Sequence, residues 1–128
     1  IASRNGNFNQ AQQLLERAIL IQTTVLGVDH PELATTYNLL GNIFLAQQKV
    51  QDAYKMQNLC ISIREKRLNP KHPDMGIALI DRARAEQMSD DWKNFETDFR
   101  RGMQILTETL GPEHPVTKRS LASVRRFS

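Results

Sequence analysis

The dipeptide His-Pro occurs three times, in VDHPELA at His30, PKHPDMG at His72 and PEHPVTK at His114, at an interval of 42 residues each time. An interval that does not drift means either three ligands converging on one site or three joints of one repeating scaffold. Other residues keep the same beat. Gly27, Asn69 and Gly111 each follow a leucine (Leu26, Leu68, Leu110), and all five prolines stand at the joints. Gly or Asn just past a helix suits a left-handed C-terminal cap. Proline at the first helical position costs no hydrogen bond, because that N–H has no partner inside the helix. The residue before proline is pushed out of the helical region, so each His is placed at an N-cap. Glu32, Asp74 and Glu113 add acidic charge where a helix dipole favours it.

Between the joints the apolar spacing is helical rather than alternating. Trp92, Phe95, Phe99, Gly102, Met103, Leu106 and Leu110 hold a three-and-four rhythm, and so do Phe8, Ala11, Leu15, Ala18 and Leu26, with Gln22 as the polar interruption. Short breaks at Arg4–Asn7, Gln47–Lys49 and Ser89–Asp91 separate each long helix from the one before it. The pattern predicts about seven helices, the first truncated. A period of this size signals stacked antiparallel helix pairs, none able to bury its apolar face alone. Packing columns follow from the register: Phe8, Val50 and Trp92 bulky, Ala18, Cys60 and Gly102 small where helices cross. Residues 1–30 read as a partial repeat, 31–72 as a repeat, 73–114 as a degenerate repeat and 115–128 as a capping helix. Together they form a single domain.

Composition narrows the function. A chain of 128 residues, 40% hydrophobic and 24% charged, has the make-up of a folded soluble domain. No apolar run reaches the roughly 20 residues that span a bilayer, so membrane insertion is not expected. The single cysteine, Cys60, cannot form an internal disulfide, which suits a reducing, cytoplasmic setting. The chain starts at Ile1 without an initiator Met and is read as an excerpt of a longer protein. The charge of +3 is mild and spread along the chain; with a pI of about 9.3 it permits an acidic partner without calling for nucleic acid.

The stretches HPELATTYNLLGNIF, AQQKVQDAY and ISIREKRLN resemble tetratricopeptide repeats of the long, kinesin-light-chain type. The resemblance covers essentially the whole chain and is weaker over 73–114. There Arg82 and Glu86 stand where a Leu and an aromatic residue are expected. Four residues apart, these two are expected to pair on one helix face, leaving Leu79, Ala83 and Trp92 to be buried. The resemblance implies an all-α, right-handed superhelical solenoid acting as a protein–protein interaction scaffold, in which the first helix of each pair lines a concave groove that holds a peptide segment of a partner.

The groove so expected contains Thr35, Asn38, Asn42 and Leu45 in one layer, Ile77, Ile80, Asp81 and Arg84 in the next, and Arg119, Ala122, Ser123 and Arg126 in the last. Asn42, Arg84 and Arg126 are again 42 residues apart and are expected to stack as a polar ladder. Asn matches a peptide backbone with one donor and one acceptor group, and Arg grips a carboxylate with two parallel bonds. Equivalent residues of stacked repeats lie on the order of 10 Å apart, so the three histidines form a row rather than a metal site. Cys60 sits in the small-residue column, as an inert thiol. The basic run Arg64, Lys66, Arg67 and Lys71 is explained by a helix C-terminus. No phosphate loop, zinc spacing or paired carboxylates appear, so neither enzyme activity nor a cofactor is expected. Two other classes remain: RNA binding by helical repeats, disfavoured by few aromatics and weak charge, and an assembly module that buries the third unit against another copy.

Overall fold

The computed structural model describes the chain from Arg4 to Arg125, with side-chain surroundings from Asn7 to Val124. Among these residues there are six α-helices and no strand: α1 (Arg4–Leu26), α2 (Pro31–Ala46), α3 (Val50–Arg67), α4 (Pro73–Met88), α5 (Trp92–Thr109) and α6 (Pro115–Arg125). Arg4–Asn7 continue α1 instead of breaking ahead of it, and the expected earlier helix falls on residues 1–3, outside the described range.

Each His-Pro joint is built the same way. The backbone N–H of Glu32 donates to Nδ1 of His30 (3.1 Å), that of Asp74 to Nδ1 of His72 (3.0 Å) and that of Val116 to Nδ1 of His114 (3.1 Å). The imidazole thus does the work of an N-cap Asn or Asp, satisfying one of the helix's unpaired donors. All three histidines are joints, each occupied with its own helix.

The other side of the joint departs from expectation once. Gly27 and Gly111 are left-handed, with φ of 93° and 95°, but Asn69 is not. Leu68 ahead of it is already extended (φ −115°, ψ 156°), and the Asn69 side-chain oxygen accepts from the N–H of Lys71 at 2.9 Å. An Asx turn replaces the left-handed cap. Among the described residues the left-handed non-glycine ones are Gln48 (φ 62°) and Asp90 (φ 59°), which turn α2 into α3 and α4 into α5.

Helices α2, α4 and α6 form one layer and α1, α3 and α5 the other. The central apolar cluster joins Leu33 and Ala34 of α2, Cys60, Ile61 and Ile63 of α3, Met75, Ala78 and Leu79 of α4, and Ile105 of α5. Where α4 crosses α5 the backbones nearly touch: a methyl group added to Gly102 would lie 3.0 Å from the Gly76 carbonyl and 2.9 Å from Ile80. Cys60 occupies the same column between α2 and α3 and is fully buried. Burial pushes its thiol up to about 11, so it stays protonated and unreactive.

Two packing expectations need correction. Trp92 is 53% exposed; it meets Phe95 edge-on (5.7 Å between ring centroids) at the rim of α5 rather than filling a core column. As the first residue of its helix, it has no preceding turn to hold it inward. Arg82 does not pair with Glu86. It reaches across to α5, where Nε and Nη2 bind both oxygens of Asp98 (2.7 and 2.9 Å), and its Nη1 donates to Asn58 of α3 (3.1 Å). A two-pronged grip on a carboxylate across helices wins over a single contact along one. Glu86 is buried beside this pair, 2% exposed, and its Oε1 has no hydrogen-bond partner among the described residues.

Candidate functional site

The α2–α4–α6 layer encloses a concavity of about 260 Å³. It gathers Asn38 and Asn42 from α2, Ile77, Ile80, Asp81 and Arg84 from α4, and Val116, Arg119, Ser120 and Ser123 from α6. Three helices separated by 42 residues contribute because the joints place them side by side in one orientation. Residues spaced three and four apart then face the same hollow.

Asp81 is the hub of its floor. Asn38 Nδ2 donates to Asp81 Oδ2 at 2.9 Å and Asn42 Nδ2 to the same oxygen at 3.4 Å, while Arg84 Nη1 reaches Oδ1 at 3.4 Å. Behind them Gln57 of α3, fully buried, accepts from Asn38 (3.0 Å) and donates to Asn42 Oδ1 (3.4 Å). Burial drives the Asp81 carboxyl above the usual carboxylate range, against the opposing pull of the Asn38 bond, the Arg84 charge and the Asn42 bond. Gly41 admits this network, since a methyl group there would lie 2.6 Å from the Gln57 amide nitrogen.

Eight of the twelve groove residues expected from the sequence line this hollow, namely Asn38, Asn42, Ile77, Ile80, Asp81, Arg84, Arg119 and Ser123, while Ala122 is exposed on α6 and does not. Thr35 is exposed on α2 and does not line it, and Arg126 lies outside the described residues. Leu45 is 4% exposed and packs with Leu40, Phe44 and Ala85, so it belongs to the core between α2 and α4 rather than to the groove surface. Ile80, at 1%, lines the floor chiefly as the residue packed onto Gly102. Asn42 and Arg84 do meet in space, but as joint donors to Asp81 and not as a free ladder. Val116 and Ser120 were missed; both share the face of Arg119 and Ser123 at helical spacing, which is the signal that identifies them.

A larger concavity of about 740 Å³ follows the outside of α5 past Phe99, Met103 and Thr107. Among the described residues, those lining it all come from that one helix, so they bring together no groups from different elements. No helix among the described residues is long and apolar enough to cross a membrane.

Paired helices stacked at a fixed interval, with first helices sharing a concave floor, define a helical-repeat solenoid. Within that class the chain belongs to the tetratricopeptide repeat family, whose profile matches residues 1–66, just over half of the chain. Among solved structures it is similar to the nearly identical TPR-like repeats assigned to a kinesin light chain of Podosopora anserina. The TM-score is 0.84 and the identity 26%, over 98% of this chain and 60% of that one. Among curated proteins it is 27% identical over 126 residues to a clustered mitochondria protein homolog of Debaryomyces hansenii. It is 21% identical over 104 residues to a protein of that name from Aspergillus clavatus, with 81% of this chain covered. The chain spans 10% and 8% of the length of these two relatives. Repeats of this family act typically as non-catalytic scaffolds for protein partners.

Proposed function

We propose that this chain is a protein–protein interaction scaffold that holds an extended peptide segment of its partner in the α2–α4–α6 groove. The observation that carries the reading is the convergence of polar side chains from three repeats on one hollow of about 260 Å³, room for one or two side chains. Asn38, Asn42 and Arg84 are pre-oriented by Asp81, so little side-chain freedom remains to be lost on binding. Arg119 and Ser120 form the solvent side and offer donors to peptide carbonyls, Ser123, whose hydroxyl donates to the Ser120 carbonyl at 2.7 Å, offers an acceptor, and Ile77 and Val116 give an apolar contact. Two guanidinium groups face one carboxylate across the hollow, and the Nε–H of Arg84 has no partner among the described residues. That balance favours an acidic side chain in the bound segment. A cytoplasmic setting, in keeping with the single protonated thiol, belongs to the same reading.

Screening an array of acidic and matched neutral ten-residue peptides against the wild type and the Arg84→Ala/Arg119→Ala variant tests it. The reading expects binding to acidic peptides that drops at least tenfold in the variant, with the helical circular dichroism unchanged. Equal binding by both proteins contradicts it. RNA binding that collapses steeply with salt, with no peptide bound, would replace it.

A further inference from the structure

The turn between α4 and α5 borders a second polar cleft, at the end of the stack away from the His-Pro joints and separate from the groove. It holds about 130 Å³, room for about four water molecules. Gln51 and Tyr54 of α3, Glu86 of α4, and Ser89 and Asp91 of the turn line it. Two of the five are carboxyl groups, and among the described residues no Lys or Arg lines the cleft. Asp91 caps α5 by accepting from the backbone N–H of Asn94 (3.4 Å) and from its Nδ2 (2.8 Å), contacts that bring no positive charge. Glu86 is 2% exposed, and its Oε1 has no donor among the described residues. Arg82, the cation of this cluster, is committed to Asp98 and Asn58. A buried oxygen without a donor is uncommon enough to point to a ligand.

The internal repeat shows what the same position holds one unit earlier. Forty-two residues back, the five lining residues are Asn9, Gln12, Phe44, Gln47 and Lys49. There an ammonium group of the chain itself takes the position. Lys49 Nζ donates to Gln12 Oε1 at 3.4 Å and stands 5.9 Å from the centre of the Phe44 ring, within range of a cation–π contact. Gln47 Nε2 donates to Asn9 Oδ1 beside it at 2.9 Å. In the later unit the lysine has become Asp91 and the ring has become Glu86. The frame is kept, since both turns run through a left-handed residue, but the internal cation is lost and two acidic groups replace it and its ring.

We infer that the α3–α4–α5 cleft binds a primary ammonium group from outside the chain, a lysine side chain of a partner or a free alkylamine, between Glu86 and Asp91. Three N–H donors suit Glu86 Oε1, an oxygen of Asp91 and the side-chain oxygen of Gln51 or Tyr54. Among the described residues no three His, Cys, Asp or Glu side chains are grouped to hold a metal ion, which favours an organic cation. Burial beside Asp98 makes Glu86 keep its proton up to about pH 8, and an arriving ammonium group displaces that proton. The amine itself stays charged throughout this range. Binding therefore releases a proton and tightens as pH rises towards 8.

The test is an NMR titration of the isotopically labelled chain with butylammonium, with Nα-acetyl-lysine methylamide and, as a neutral control, with butanol. Saturable shifts at Gln51, Glu86, Ser89 and Asp91 are expected with an amine and not with butanol. Response to the lysine derivative alone assigns the site to a partner's side chain, and response to butylammonium alone assigns it to a free amine. Asp91→Asn keeps the helix cap and should weaken binding about tenfold. Asp91→Lys restores the ammonium group of the earlier unit and should abolish binding, with the helical circular dichroism unchanged. Wild-type affinity should rise about tenfold between pH 6 and pH 8, and Glu86→Gln should lose that rise. Absence of saturable shifts with both amines overturns the inference, as do equal shifts with butanol or binding that neither Asp91 variant weakens.

Discussion

The second and third helix pairs share one frame and fill it with opposite chemistry. In α2–α3 the positions Leu40, Phe44 and Met56 make an apolar cluster with Ala53 and Leu45. Moved on by 42 residues, the same three positions are Arg82, Glu86 and Asp98, a nearly dry ionic cluster in which Asp98 is 6% exposed. The backbone does not register the exchange: both pairs begin at a His cap and a proline, and both turn through a left-handed residue. Side-chain chemistry in the core can therefore change while the joints keep the repeat. Charges removed from water are only offset when each finds its partner, so the two clusters respond differently to damage.

The largest expected effect is Asp98→Ala. It leaves the partly buried Arg82 guanidinium without its carboxylate, with Asn58 as its remaining partner, and is expected to destabilise by about 2–4 kcal/mol, lowering the melting temperature by roughly 6–16 °C. In α2–α3, Met56→Ala leaves only a cavity at a partly buried position and is expected to lower the melt less. A smaller drop for Asp98→Ala than for Met56→Ala would contradict the contrast.

Next comes the helix crossing. Gly102→Ala sets a methyl group against the Gly76 carbonyl and is expected to cost about 1–3 kcal/mol by thermal or denaturant melting. Gly41→Ala meets only the movable end of Gln57 and should cost less. Equal losses at both would mean that α4 and α5 are not packed backbone to backbone.

Glu86 supplies a pH signature that the apolar pair lacks. Burial, reinforced by the Asp98 bond and charge and opposed by Arg82, raises its carboxyl to about 8 from an ordinary 4.5. The folded chain keeps a proton that the unfolded chain has already released. The contribution of this group to stability is thus fully present below pH 4.5 and falls as pH rises towards 8. Glu86→Gln should become progressively more stable than the wild type between pH 5 and pH 9, whereas Phe44→Leu should show no such trend. A pH-independent difference for Glu86→Gln would place that carboxyl in solvent.

The joints should show the smallest effect and the least difference between units. His30→Ala and His72→Ala are each expected to cost about 1 kcal/mol, and His→Asn at either site should restore most of it, since Asn also accepts at the N-cap.

Helices, joints and the small-residue crossings were legible in the sequence because they depend on neighbours within a few residues and recur at a fixed interval. The groove was legible as a face but not in depth. Helical phase places Leu45 and Asn42 on one side of α2, and only the approach of Ala85 from α4 decides that Leu45 is core. The Arg82–Asp98 pair spans 16 residues and two helices, and reading along a single helix led to Glu86 instead. A signal was nevertheless present: basic and acidic residues replace Leu40 and Met56 together, in columns that face each other across the helix pair. Asn69 misled because Gly and Asn share a preference for left-handed caps, while Asn can also close an Asx turn ahead of a proline.

The equivalence of the two units can be measured in one variant, Arg82→Leu/Glu86→Phe/Asp98→Met, which writes the α2–α3 cluster into α4–α5. Chemical denaturation should find this protein as stable as the wild type or more stable by about 1–4 kcal/mol, since apolar residues of matching volume replace a buried ionic cluster. A triple variant as unstable as Asp98→Ala alone would show that the positions do not correspond and that the forty-two-residue register is not the architecture of this protein.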